Sequence, residues 1–334
     1  MSKFIAVLIC IGCLQSRALG VVLVAGDIIV ADYRSPSIPG RILRINPFTG
    51  QQDIVSDAGN LDNPVGVTID LNGDILVADR GPSFGGTGKL IRINPGTGAQ
   101  TVISAGDHFV DPYDVAVAPN GDIFVSDQSA GIYGAILRVD RNTGLQEFVT
   151  TDNNFGSPQG LVFDADGKLL LADANGPTHD GGVIRIDPIT GSQSILSSSG
   201  FFIDPVGITR DALTNNLYVT DARDFSIPNG AIIRVNGATG AQTLIHSGSD
   251  LIEPIDVAIE ASGKLVVSDL DPFTGGAGSK IVRMDPTTGA ISLISSGGLL
   301  QSPAGLVIFP EPASSVLLGI VIVGYRRSRR KRTN

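Results

Sequence analysis

A block of about 47 residues recurs six times along this chain. Self-similarity at such a period marks a repeat architecture, in which each copy buries its apolar face only against its neighbours. Three marks recur in every copy. The first is a Pro-x-Gly or Pro-x-Asp start followed by an aliphatic residue, at Pro64, Pro112, Pro158, Pro205, Pro254 and Pro303. The second is a Val- and Ile-rich run ending in Asp, at Asp32, Asp79, Asp127, Asp173, Asp221 and Asp269. The third is an aliphatic-Arg-aliphatic run (Arg44, Arg92, Arg138, Arg185, Arg234, Arg283) that leads into a Thr-Gly turn.

Residues 64–111 show how one copy folds. The runs "VGVTID", "ILVAD", "KLIRIN" and "AQTVIS" are short, β-branched and bounded by Gly, Asn, Asp and Pro, which is the pattern of strands joined by turns. Apolar spacing at helical period is absent from the repeat region over any three turns. Four strands per copy and six copies predict an all-β fold, a six-bladed β-propeller of four-stranded blades. The first copy begins with its second strand, "DIIVAD", and the last ends on a lone first strand at 303–309. The C-terminal strand is therefore expected to pair into the N-terminal blade and close the ring, which leaves no open edge.

Three segments follow from composition: 1–20, 21–309 and 310–334. Residues 1–20 carry Lys3, the apolar run "FIAVLICIGCL" and small residues at Ala18 and Gly20, the layout of a secretory signal peptide. Both cysteines, Cys10 and Cys13, lie in it, so the mature chain would have no disulfide, thiolate metal site or cysteine nucleophile. Basic residues concentrate at the C-terminus, and the repeat region is left near −16. That charge repels phosphate backbones, so nucleic acid is not expected as a partner. It attracts divalent cations.

The tail reads "PEPASSVLLGIVIVGYRRSRRKRTN". Pro310, Glu311 and Pro312 precede an apolar run that is short for a span of about 20 residues. A basic cluster follows, which would stay cytoplasmic. This resembles the PEP-CTERM sorting signal of Gram-negative bacteria, with Phe309 where that family usually has Val. The resemblance implies a transient inner-membrane anchor, an exosortase-type partner that cleaves near the triplet, and delivery to the cell surface or extracellular matrix. "PVGVTIDLNGDILVAD" (64–79) and "GAIIRVNGATG" (230–240) resemble the NHL-repeat and SMP-30/gluconolactonase-like superfamily, over about 25–309. That resemblance implies the fold; its chemistry ranges from lactonases and lyases to pure interaction modules.

Residues shared by all six copies are assigned to the blade. The strand-end Asp and the strand Arg of each copy are expected to pair, since an unpaired buried charge is costly. An apolar residue before each Pro (Leu61, Phe109, Phe155, Phe202, Leu251, Leu299) is expected in the core. Function is sought in departures from the repeat. Where four copies have Gly after Pro-x, two have Asp114 and Asp256, in the opposed third and sixth blades. They are read as additions outside the stabilising set. With Asp111, Asp204 and Glu253, each directly before a repeat Pro, they form the candidate site for Ca²⁺ or another divalent cation. SMP-30-like proteins hold a metal in this part of the ring, although their Glu-Asn-Asp set does not map cleanly here. The loops on the same face carry Tyr33, Phe84, Tyr133, Phe225 and Phe273, candidates for stacking on a sugar or gripping a peptide. His179 is the one histidine placed to act as a base. The sequence thus supports a monomeric, exported, non-catalytic module that binds a glycan or surface protein. The alternative is a divalent-metal-dependent lactonase or lyase acting in the channel.

Overall fold

The computed structural model describes residues 21–33, 38–82, 87–151, 154–176, 180–222 and 230–310. The signal-like segment, nearly all of the tail, and Phe84, His179 and Phe225 lie outside these residues. Among the described residues every regular element is a strand, and the strands form six antiparallel four-stranded sheets. Alternating short apolar runs and tight turns leave no other way to pair the backbone.

The innermost strands are Pro64–Ile69, Pro112–Val117, Pro158–Phe163, Pro205–Arg210, Glu253–Ile259 and Pro303–Ile308. Each touches the innermost strands of its two neighbours, and the six close a ring. Pro303–Ile308 pairs with Ile28–Asp32, in register Ile28 to Ile308, so the last strand completes blade one as expected. Blade two then starts at Pro64, and blades three to six follow in chain order. The core is divided into six layers between adjacent blades, each built mainly from aliphatic residues of two neighbouring sheets.

Three sets of repeated residues hold the blades together. Gly40, before the third strand of blade one, has no side chain because a Cβ there would come within 2.1 Å of Pro64 in blade two. Glycine stands at the equivalent position in four other blades and faces the next blade's proline in the same way. At the outer edge, a Gln opening the fourth strand clasps the preceding blade. Gln146 is typical: its Nε2 donates to Ser104 Oγ and to the Gly106 carbonyl, each at 2.9 Å, and its Oε1 accepts from the His108 amide at 2.9 Å. Gln52, Gln100, Gln193 and Gln242 occupy the same place. Only at the seam between blades five and six is the pair replaced: Ile291 stands for the Gln and His246 for the Ser or Thr, and His246 Nε2 is buried without a hydrogen bond. The apolar anchors Leu61, Phe109, Phe155, Phe202 and Leu251 are buried. In the last copy Leu300 takes that place, and Leu299 is only partly buried, because the anchor lies three residues before the proline in every blade.

The expected pairing of strand-end Asp with strand Arg is not what the register allows. In the hairpin of blade one, Asp32 faces Arg41, while Arg44 faces Ile29 toward the other end of the blade. Arg44 pairs there with Asp27 and Asp53, at 2.7 and 2.9 Å. Arg185 and Arg283 likewise meet Asp164 and Glu260, on the face opposite the strand-end Asp residues.

Two stability outcomes follow. Deleting 303–308 exposes the edge of Ile28–Asp32, and the remaining chain should lose its single cooperative unfolding transition; an equally sharp melt would contradict closure by that strand. Gln146→Ala removes three hydrogen bonds at a buried seam and should cost about 1–3 kcal/mol in denaturant titration; an unchanged midpoint would contradict the clasp.

Candidate functional site: a polar well at the channel mouth

Each strand-end Asp is fully buried or nearly so, and it turns its oxygens to backbone amides of the loop that leads into the innermost strand of its own blade. Asp79 accepts from Asp62 and Asn63, Asp127 from Val110 and Asp111, Asp221 from Ile203 and Asp204, and Asp269 from Ile252 and Glu253. The carboxylate substitutes for the partners those amides would find in water. Burial raises the pKa of Asp32, Asp127 and Asp269, and pushes Asp79 to about 6 and Asp173 to about 7, against the lowering effect of the amides. The consequence is positional. The residue before each repeat proline has its backbone fixed, while its side chain is free to differ from blade to blade: Asn63, Asp111, Ser157, Asp204, Glu253 and Ser302.

Four of these residues (Asn63, Ser157, Asp204 and Glu253), those following the strand-end Asp, and the residue after each repeat proline surround a well on one face of the ring. Its larger lobe is about 500 Å³ and is lined by Arg80, Tyr113, Gln128, Gln159, Asp204 and Glu253 among others. A side lobe of about 150 Å³ adds Tyr33 and Asn63. Both lobes share Arg80, Tyr113, Glu253 and Ile255. The loops before the first strand and after the second thus do share a face. Arg80, Tyr113, Gln128 and Gln159 were not among the sequence candidates. The available signal was that they vary from copy to copy beside invariant positions of the repeat.

The five acids expected at one cation site lie in two separate environments. Asp111 is bound by Arg80, whose Nε and Nη2 both donate to its carboxylate, the latter at 2.6 Å; Nη2 also reaches Gln128 Oε1 at 3.1 Å. Asp204 and Glu253 line the well. Asp114 and Asp256 lie on the other side of Tyr113 and Ile255, around a void of about 10 Å³ with four glycines in its wall. That volume suits about one water. All four oxygens of this pair accept backbone amides: Asp114 from Val115 and from Leu161 of blade four, Asp256 from Val257 and from Leu306 of blade one, each at 2.8 Å. A calcium ion needs about six to eight oxygens, which this void does not supply, and among the described residues no three His, Cys, Asp or Glu gather in a metal-holding group. Asp114 and Asp256 therefore belong to the stabilising set after all, as clips onto the following blade. The glycines of the preceding blades make room for them: a Cβ on Gly66 would meet Asp114 Cα at 2.5 Å, and one on Gly207 would meet Asp256 Cα at 2.6 Å. Burial raises the pKa of both, and the charge of Asp114 adds to the rise at Asp256.

Tyr33 is drawn into the well, where burial and then the charge of Glu253 raise its pKa. Tyr133 and Phe273 are about half exposed on the rim loops. No described histidine lines the well. Tyr113 sits under Arg80, whose guanidinium carbon is 5.7 Å from the ring centroid. Asp204 and Glu253 carry the displaced carboxyls of the well. Burial and then the Asp221 charge push Asp204 to about 6; burial, then the charges of Asp204 and Asp269, push Glu253 to about 7.

No protein family matches the chain, and no curated protein matches it. Solved structures do. A chain of the nidogen/laminin complex is similar with a TM-score of 0.65 at 17% identity, over 84% of this chain and 97% of that one. TolB from Acinetobacter baumannii is similar with a TM-score of 0.64 at 14% identity, over 86% of this chain and 67% of that one. At these identities the likeness shows the fold, a six-bladed β-propeller.

The raised carboxyls fix a pH dependence. A carboxyl whose pKa is higher in the folded than in the unfolded chain stabilises the fold fully below the unfolded value and loses that contribution as pH rises through the folded value. With Asp79 and Asp204 near 6 and Asp173 and Glu253 near 7, stability should fall as pH rises from about 4 to about 7 and then level off. Denaturant midpoints across that range check this; a flat or rising profile would contradict it.

Proposed function

We propose that the chain is an exported, surface-delivered propeller of the NHL/SMP-30-like kind that acts as a non-catalytic binding module, taking a protein or glycan ligand in the well. The observation that carries this is the make-up of the well: its lining consists of positions that differ between blades, on a scaffold whose other positions repeat. A mostly preformed concavity of a few hundred Å³ with a few fixed polar groups is what ligand recognition requires. A neighbour solved as part of a nidogen/laminin complex supports a protein as the ligand. Export and surface delivery rest on the signal-like layout of 1–20 and on the PEP-CTERM-like tail with its exosortase-type partner.

One observation favours the second reading, a lactonase or lyase acting in the well. Asp204 and Glu253 sit in the range where a carboxyl serves as an acid or base at neutral pH.

The test sets the full chain against panels of bacterial surface polysaccharides, surface proteins and small lactones. Wild type should retain a ligand, and Tyr113→Ala or Gln159→Ala, in the floor of the well, should weaken it by about tenfold or more while the melting profile is kept. Equal retention by both variants would place binding elsewhere. Lactone turnover lost in Glu253→Gln would replace this function by the catalytic one.

A further inference from the structure

The wall of the well contributed by blades five and six is acidic and has no cation of its own. Glu253 is 91% buried and lines both lobes, and among the described residues neither it nor Asp204 has a side-chain hydrogen bond or an ion pair. The contrast with the facing side is direct: there Asp111 is fully engaged by Arg80. Holding two unpartnered carboxyls beside each other, Glu253 buried and Asp204 half-buried, costs stability, and folding alone gives no return for it. Both backbones are held by repeated carboxylates, Asp221 and Asp269, so the acids are presented rigidly. Around them Ile203, Val206, Ala222 and Ile255 supply an apolar flank.

We propose that this wall receives a basic side chain, lysine or arginine, presented by a protein ligand. The methylene stem would lie along the four apolar residues and the cation would pair with Glu253 and Asp204. An aliphatic stem with a terminal cation fits this lining, since such side chains bury the stem and carry the charge at one end. A divalent ion would need a third protein ligand that the described residues do not bring here. This inference rests on the binding reading above and narrows its ligand to a protein.

The full chain is titrated by calorimetry with N-acetyl-lysine methylamide, N-acetyl-arginine methylamide and the uncharged N-acetyl-norleucine methylamide. At least one basic probe should bind, and norleucine should bind at least about tenfold more weakly. Glu253→Gln should weaken the basic probe by about 10- to 100-fold, and Asp204→Asn in the same direction. Both variants should melt at or above the wild-type temperature, because one like-charge repulsion is gone; that separates lost recognition from lost folding. Affinity should also drop as pH falls from 8 to 5.5, as the carboxyls take up protons. Equal binding of norleucine would overturn the proposal. So would no binding of either basic probe at about 10 mM, or unchanged affinity in both variants. Failure here with a surface ligand still retained through Tyr113 and Gln159 overturns only this proposal; failure of both overturns the binding reading as well.

Discussion

A buried carboxylate at the end of the second strand of every blade is the interaction on which the rest depends. Each blade must bring a loop back to the channel and start its innermost strand there, and the amides of that loop point into protein. Asp32, Asp79, Asp127, Asp173, Asp221 and Asp269 accept them. Burial penalises the charge and raises most of these pKa values, yet an apolar residue there would leave the amides without partners. The same contact sets function apart from stability. It fixes the backbone of the residue before the proline and leaves its side chain unconstrained, so the ring can carry Asn, Asp, Ser or Glu around one mouth without rebuilding the blade.

Closure adds a second layer. The blades are tied at the axis by glycine–proline contacts and by the Asp114 and Asp256 clips, and at the perimeter by glutamine clasps. Five seams have the clasp; the seam between blades five and six has Ile291 and His246 instead. That seam also carries the acidic wall of the well. The missing clasp and two unpartnered acids thus lie at one seam, beside the candidate ligand contact, in line with the tendency of binding regions to come from the low-stability end of a structure.

Much of the fold was legible because repetition amplifies weak signals. One strand of "ILVAD" is ambiguous; six at the same offset are not. Blade number, strand order, ring closure and the shared face of the variable loops could all be read. What could not be read was side-chain register. Asp32 and Arg44 are near in sequence and both repeat, yet antiparallel pairing sets Arg41 opposite Asp32 and sends Arg44 toward the other end of the blade. Asp114 and Asp256 were visible as departures from glycine, but their role depends on amides of the following blade, some 50 residues away. Arg80, Tyr113 and Gln159 were hidden for a simpler reason: they occupy the unremarked positions beside the repeated Pro and Asp.

Native-state amide hydrogen exchange on the full chain tests most directly whether the buried carboxylates anchor the mouth. The amides of Asn63, Asp111, Ser157, Asp204, Glu253 and Ser302 lie where loops enter the innermost strands, and each is donated to the strand-end Asp of its own blade. They should be protected to nearly the level of the central strands, and Asp79→Ala should release Asn63 while the other five stay protected. Exchange of these six amides as fast as that of the exposed Thr-Gly turns would contradict the account.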